Sequence, residues 1–482
     1  MGSDTRVQNL ENNPLFEESL APITQSKRTI GVLGYCWIWV GIAVMIATFQ
    51  LGANGVQGLS LMTVVLTIFF ANVGLAVFMT LTADIGTEHG LSFAVYLRAP
   101  FGTVGTHFPA ISRALVATMW FGIQTYLGAL ALNGIVEYLT GFNNWIVWYA
   151  LFALLQLVNT ALGIKAVERV AAIAAPAILA ISVWMYYTLE GVADMNGINI
   201  WTFQGMSEIS LITLFIANMG FWSTMAIDVP NLTRFVKTRT GTKKFFKRNK
   251  SVLLAQLLAL PLTQAWVAMI GAVSFIATGD WNPVNVIQGQ GEGISMVILL
   301  LLVVLAQWST NNSANLIPAA MIFINVAPKV LNYKVAVCLA GIVGTLCMPW
   351  ELLNNLFTFL FYYGAFLSSI GGIMVADYYL IRNRKINVPE LFKVHGQYRY
   401  FNGFNLAGLI SWIISGGIAS YFVQYSFVIG FPLGLIIYFF SMKFIVMKIY
   451  DQPETRDNCD DLYLATSIGK DWIIEGEEIK QS

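Results

Sequence analysis

The chain of 482 residues is short of charge. Only 11% of its residues are Asp, Glu, Lys or Arg, against about 25% in an average soluble domain. Hydrophobic residues make up 57%, and the mean hydropathy is +0.66. So little charge cannot cover the surface of a soluble protein of this size. Histidine is scarce as well. His89, His107 and His395 are scattered, and no His/Cys/carboxylate cluster suggests a structural metal. The four cysteines, Cys36, Cys338, Cys347 and Cys459, have no paired spacing and are expected to be reduced. No Asp or Glu sits in the middle of an apolar run, which weighs against a proton relay through buried carboxylates. A net charge of +1 says nothing for nucleic acid. No nucleophile–base set is visible, so the chain is not expected to be an enzyme.

What the chain does have is roughly twelve long apolar runs. A helix needs about 20 apolar residues to cross the hydrocarbon core. The candidate spans are 31–55, 60–84, 108–136, 145–163, 167–189, 208–229, 251–278, 293–325, 334–349, 353–381, 402–423 and 428–449. Their backbone groups must be satisfied within each span, so they should be helices. The connections after spans 1, 3, 5, 7, 9 and 11 contain no Lys or Arg. The other connections, the span ends beside them and both tails hold all 27 basic residues except Arg113, near the start of span 3. Basic residues close to spans are retained in the cytoplasm. The pattern predicts a multi-pass protein of the cell (inner) membrane with both termini cytoplasmic. Residues 1–29 and 451–482 read as tails around a membrane domain at 30–450. The basic run Arg234–Lys250 after span 6 reads as an anchor to anionic lipid headgroups.

Polar interruptions recur when the first ten spans are taken as two units of five, about 30–190 and 208–382, with extra helices at 402–449. Span 1 carries Gly41, Gly52 and Gly55; its counterpart, span 6, carries Gly220 and ends in Asp228-Val229-Pro230-Asn231. Span 3 carries Trp120 and Gln124; its counterpart, span 8, carries Trp308-Ser309-Thr310-Asn311-Asn312-Ser313-Ala314-Asn315. Interrupted segments at matching positions of two halves point to a transporter site at the midplane. Six polar side chains in the eight residues of the span-8 run must face protein or water. Two adjacent hydroxyls beside backbone carbonyls suit a hard monovalent cation such as Na⁺; the alternative is interhelical hydrogen bonding. Trp120 and Gln124 share a helix face, an indole beside an amide that together suit a flat ring with a polar rim. Gly220 permits close backbone approach and tolerates unwinding.

At these residues the chain resembles the nucleobase–cation symporter-1 family. The matching strings are Ile38-Trp39, Trp120 through Leu132, Trp308 through Asn315, Gly220-Phe221-Trp222 with Val229 through Arg234, and Ala376-Asp377-Tyr378-Tyr379. The resemblance implies an all-α integral membrane protein with a 5+5 inverted repeat, the leucine-transporter-like fold, plus two C-terminal helices. It implies that Trp120 and Trp222 sandwich a planar nitrogen heterocycle. Gln124 and Asn315 would hydrogen-bond its amide edge, with Phe221 contributing backbone. Met45 stands where hydantoin carriers of the family have a glutamine beside the substrate. Na⁺ would lie between spans 1 and 8, held by carbonyls of Gly41, Val44 and Ala306 and hydroxyls of Ser309 and Thr310. In span 6, Asp228 and Asn231 stand where many members read Asn and Asp.

The expected activity is Na⁺-coupled import of a nucleobase-, allantoin- or hydantoin-like compound by a monomer in contact with membrane lipid. Retention of both hydroxyls favours Na⁺ over H⁺. A proton-coupled permease of the same family and an amino acid transporter of the same fold are the alternatives. A channel fits less well, because discrete stacking residues imply a bound ligand.

Overall fold

The computed structural model describes residues 13–162, 164–475 and 478–482. The first twelve residues of the expected N-terminal tail lie outside the described residues. Every expected span is helical. Among the described residues, seven helices are long and apolar enough to cross a membrane: Leu61–His89, His107–Thr140, Leu211–Asp228, Phe245–Thr278, Gly293–Val326, Leu356–Ile381 and Val423–Ile449. The shorter helices Trp145–Ala161, Tyr333–Thr345 and Leu406–Tyr421 form spans 4, 9 and 11. Span 5 is Ile164–Met195. Span 1 is a bent pair, Val32–Ala43 and Ile46–Val56, with 59° between its halves.

Local chemistry sets many of the boundaries. Ser60, Asn144, Ser210 and Asn332 cap the starts of spans 2, 4, 6 and 9 by accepting from the backbone N–H three residues on, as N-cap side chains do. Spans 2, 3 and 7 stop at Gly90, Gly141 and Gly279, each with positive φ, the usual left-handed helix end. Large apolar side chains such as Phe70, Leu258, Ile414 and Phe440 remain exposed on the outer faces. Only 22% of the most apolar window of span 12 is buried within the protein. Hydrocarbon, not water, is the solvent those faces fit.

The packing follows the inverted repeat. Span 2 lies on span 7 and span 3 on span 8, so equivalent helices of the two halves meet each other. Span 6 packs on span 2 as span 1 packs on span 7. Spans 11 and 12 are added against span 10. Short helices occupy the connections, at Phe93–Tyr96 and Arg98–Phe101 before span 3 and at Pro283–Gln290 before span 8. The C-terminal segment ends in a two-stranded antiparallel hairpin, Trp472–Glu475 with Glu478–Gln481.

The interruptions fall only partly where the sequence suggested. Span 8 contains a π-helical turn at Asn312–Leu316, inside the polar run. Span 1 breaks at Val44–Met45, with Met45 extended at φ −122° and ψ 149°. Spans 3 and 6, however, are unbroken at Trp120 and Gly220. Gly220 serves close approach instead of unwinding: a Cβ there would stand 2.8 Å from the Leu360 carbonyl oxygen of span 10. Because the helix is hydrogen-bonded through Gly220, that crossing alone accounts for the glycine.

The acids at the span ends are buried in ion pairs at the end of the bundle that carries both termini. Arg248 of span 7 pairs with Asp84 and Glu88 of span 2. Arg382 pairs with Asp377 and with Glu454 of the C-terminal segment. Glu88 also accepts from the Ala465 and Ser467 amides and the Ser467 hydroxyl at 2.7–3.1 Å. The C-terminal segment is therefore docked onto the bundle through fully desolvated polar contacts.

Candidate functional site

Three aromatic side chains gather at the middle of spans 3 and 6. Trp120 is 4% exposed. Its ring meets Phe221 at 5.2 Å between centroids and 61° between planes. It also meets Phe359 of span 10 at 5.7 Å. Phe221 in turn meets Trp222 at 5.3 Å, and Tyr363 donates to the Phe221 carbonyl at 3.2 Å. On its other side, Trp222 packs edge-on against Trp39 of span 1 at 6.0 Å. Phe221 thus touches both indoles, and both are buried in one cluster. Among the described residues, Trp120 and Trp222 make no direct ring contact.

The two amides expected to face a ligand sit differently. Gln124, one turn beyond Trp120, is fully buried. Neither its Oε1 nor its Nε2 has a hydrogen-bond partner among the described residues. A buried polar group left without a partner costs about 1–3 kcal/mol, so the Gln124 amide would gain by pairing with a ligand or a water. Asn315 is tied down on one side, donating to Asn311 Oδ1 at 2.8 Å. Asn311 itself is interhelical glue. Its Nδ2 is shared by the Phe121 carbonyl at 3.0 Å, Thr125 Oγ1 at 3.1 Å and Gln156 Oε1 at 2.8 Å, joining spans 3, 4 and 8.

Of the five expected cation ligands, the structure brings Gly41 of span 1 to Thr310 of span 8 and puts Val44 and Ala306 on one cavity. Helix ends leave carbonyls without intrahelical partners. Here Thr310 Oγ1 takes up the Gly41 carbonyl at 2.8 Å, and Thr48 Oγ1 takes up that of Ala43 at 3.3 Å. Val44 and Ala306 line one small cavity, with Met45, Phe49 and Gln307. Ser309 is buried beside Thr310. The Thr310 hydroxyl thus meets a carbonyl at the negative end of the first half-helix, and an oxygen pair of this kind is chemistry that suits a hard cation.

Three features escaped the sequence reading. Gln307, at the edge of the polar run, is fully buried, and neither of its amide atoms has a hydrogen-bond partner among the described residues. Gln264 of span 7 accepts the Trp222 indole N–H at 2.5 Å. Arg113, the basic residue outside the topology pattern, pairs with Asp228 at 3.0 Å, both 1% exposed. Asp228 also accepts from Asn231 at 2.5 Å, and Asn231 Oδ1 accepts the Phe93 amide at 2.9 Å. The transposed Asp and Asn therefore put the carboxylate within reach of span 3 and the amide against the short helix at Phe93–Tyr96.

A bent first span, a π-turn in the eighth and a buried aromatic–amide group between them define a carrier of the leucine-transporter-like fold. Residues 22–446 match the family model of permeases for cytosine/purines, uracil, thiamine and allantoin, and the chain belongs to that family. It is 29% identical to the hydantoin permease of Microbacterium maritypicum, over 93% of each chain. It is 28% identical to the allantoin permease of Bacillus subtilis, covering 82% of this chain and 84% of that one. Among solved structures, a nucleobase-cation-symport-1 family transporter in a closed conformation with bromovinylhydantoin bound superposes with a TM-score of 0.84. Identity to it is 29%, covering 92% of this chain and 98% of that one. A Na⁺-coupled sialic acid symporter shares the fold alone, at a TM-score of 0.58 and 14% identity over 87% of this chain and 91% of that one.

Proposed function

We propose that the protein is a Na⁺-coupled symporter that imports a planar nitrogen heterocycle by alternating access. The substrate class is nucleobase, allantoin or hydantoin. The observation that carries this reading is Gln124: a fully buried amide with a free donor and a free acceptor, one turn from a buried indole. Such a group prefers a solute whose rim offers the opposite pair, as the –NH–CO– edge of these rings does. The hydantoin and allantoin permeases among the relatives support the same class.

Stacking on an aromatic face is worth about 1–3 kcal/mol. Two faces, from Trp120 and from the Phe221–Trp222 pair, give about 2–6 kcal/mol, which alone corresponds to affinities of tens of micromolar or weaker. The amides Gln124 and Asn315 supply discrimination, since a site built to hydrogen-bond a polar edge strongly rejects analogues lacking it. Na⁺ bound by Gly41, Val44, Ala306, Ser309 and Thr310 would hold the two halves of span 1 against span 8. The Met45 side chain, at the head of the second half-helix, would then be set against the solute. That coupling is reciprocal, and about 5- to 150-fold is typical. The protein works as a monomer in the cell membrane, with both tails cytoplasmic as the basic residues require.

Uptake by proteoliposomes tests the proposal. Initial rates for uracil, allantoin and hydantoin are measured with an imposed Na⁺ gradient, then with a pH gradient and no Na⁺. Uptake of one of them, driven by Na⁺ and lost in Trp120→Ala, is expected. Uptake driven by the pH gradient alone overturns the Na⁺ assignment, and uptake unchanged in Trp120→Ala overturns the site.

A further inference from the structure

We infer that Gln264 of span 7 is a positioning residue for the substrate site, holding the plane of the Trp222 indole through a chain of buried amides. This rests on the assignment of Trp222 to that site. Gln264 is fully buried, and its Oε1 accepts two hydrogen bonds. One comes from Trp222 Nε1 at 2.5 Å and the other from Asn72 Nδ2 of span 2 at 2.6 Å. Asn72 Oδ1 accepts in turn from Asn218 Nδ2 of span 6 at 2.9 Å. Asn218 lies one turn before Trp222, so the chain leaves span 6, crosses spans 2 and 7 and returns to span 6. None of the three amides has measurable exposure.

An indole in a packed core can still turn about its side-chain bonds. Its N–H is the one group on the ring that fixes direction, and a buried indole N–H normally finds a partner. Here that partner is itself fixed, because the second bond from Asn72 denies Gln264 Oε1 freedom to follow the ring. Trp39 and Phe221 each pack against the indole at a steep angle, with 64° and 65° between planes. The ring is thus held by apolar contact and at its nitrogen by the amide chain. All the groups that hold it belong to spans 1, 2, 6 and 7. Trp120, Gln124 and Asn315 belong to spans 3 and 8. The ligand-facing set is therefore divided between two packed groups of helices, and the amide chain gives the spans 1, 2, 6 and 7 group its fixed reference.

The consequence is a specific coupling. Losing the Gln264 acceptor should weaken a stacked ligand only through Trp222. Equilibrium binding of radiolabelled hydantoin, allantoin and uracil to the full-length purified protein tests this with Trp222→Phe, Gln264→Met and their double variant. Phe keeps a stacking ring but has no N–H; Met keeps the length of Gln without an acceptor. Each single change is expected to weaken the best-bound probe about tenfold, the worth of one well-placed hydrogen bond. The double variant should be no weaker than the poorer single, because both remove the same interaction. Gln264→Glu, which keeps an acceptor, should stay within about twofold of the parent by the same reasoning. The ratio of hydantoin to uracil affinity should also shift in both single variants, a change that loss of packing alone would not produce. Losses that multiply in the double variant overturn the inference, as do parent-like affinities in Gln264→Met. If Gln264→Met does not fold, Trp222→Phe decides alone, since it leaves the Gln264–Asn72 pair intact; an unchanged affinity overturns the inference. Unchanged binding in Trp222→Ala would instead remove Trp222 from the site, a failure of the proposed function and not of the coupling.

Discussion

Asn311 and Gln124 show how much two similar amides can differ. In the sequence both are polar residues in apolar helices, and the spacing of Asn311 and Asn315 put them on one face. Only the structure separates glue from site: three acceptors surround Asn311 Nδ2, whereas the Gln124 amide has no hydrogen-bond partner among the described residues. Opposite effects on stability should follow. Gln124→Leu removes an unsatisfied buried amide and should stabilise the ligand-free protein by about 1–2 kcal/mol. It should also abolish measurable heterocycle binding. Asn311→Leu strands partners in three helices and should cost about 2–3 kcal/mol. Thermal melts in detergent, with and without ligand, check both. A Gln124→Leu protein that is less stable than the parent would mean that the amide has a partner. The composition of the site was legible because Trp, Gln and Asn are costly at membrane depth and so stand out. Gln264 was not legible, because its role depends on an indole 42 positions away in the chain, which no local pattern reveals.

At the scale of the helix, the polar run of span 8 contained its irregularity, whereas the glycines that marked span 1 as interrupted lie to either side of its break. Six polar residues among eight weaken the regular hydrogen-bond ladder by offering alternatives to it, and the π-turn at Asn312–Leu316 overlaps them. The break at Val44–Met45 has no glycine or proline within two residues. It is held by two hydroxyls, Thr310 of span 8 on the Gly41 carbonyl and Thr48 of span 1's own second half on that of Ala43. The glycine of span 6 misled for the complementary reason: Gly220 looks permissive but is there for a crossing with span 10. Gly220→Ala should therefore cost about 1–3 kcal/mol by overpacking, with the helix content by circular dichroism unchanged. Thr310→Ala should act at the break. It frees the Gly41 carbonyl and removes one candidate Na⁺ ligand. The Na⁺ concentration for half-maximal uptake should rise about tenfold or more, within the usual range of a coupling energy. Heterocycle affinity at saturating Na⁺ should change little. A Na⁺ requirement equal to that of the parent would show that the hydroxyl serves the break alone.

Across the whole molecule, the scarce charges are spent on joining distant parts. The sequence placed Asp84, Asp228 and Asp377 at span ends, where a carboxylate usually meets water or a nearby base. Asp377 does meet a nearby base, Arg382, five residues on, but the bases of Asp84 and Asp228 lie 164 and 115 residues from them, and Arg382 adds Glu454 from 72 residues on. The Arg113–Asp228 pair is the most informative of these, because it ties span 3 of the first half to span 6 of the second. Arg113 lies seven residues from Trp120, about 10 Å along a helix, and Asp228 six residues from Trp222, about 9 Å. Both are displaced from the site toward the end of the bundle that carries the termini. The pair therefore spans the two helix groups beside the site, at the end of the bundle that carries the termini. Breaking a buried pair by removing one partner costs about 3–5 kcal/mol, while replacing both by apolar residues is often neutral or better. Arg113→Met and Asp228→Leu should each lower stability by about that amount, and the double variant should recover it. If the pair only stabilises the fold, uptake should recover with stability in the double variant. If it also sets the balance between the two access states, the double variant should melt like the parent and bind ligand, yet transport at a different rate. Parallel melts, binding and proteoliposome uptake on the same three variants separate those results, because a rate that stays altered in a fully stable protein can arise only from the equilibrium between states or the barrier dividing them.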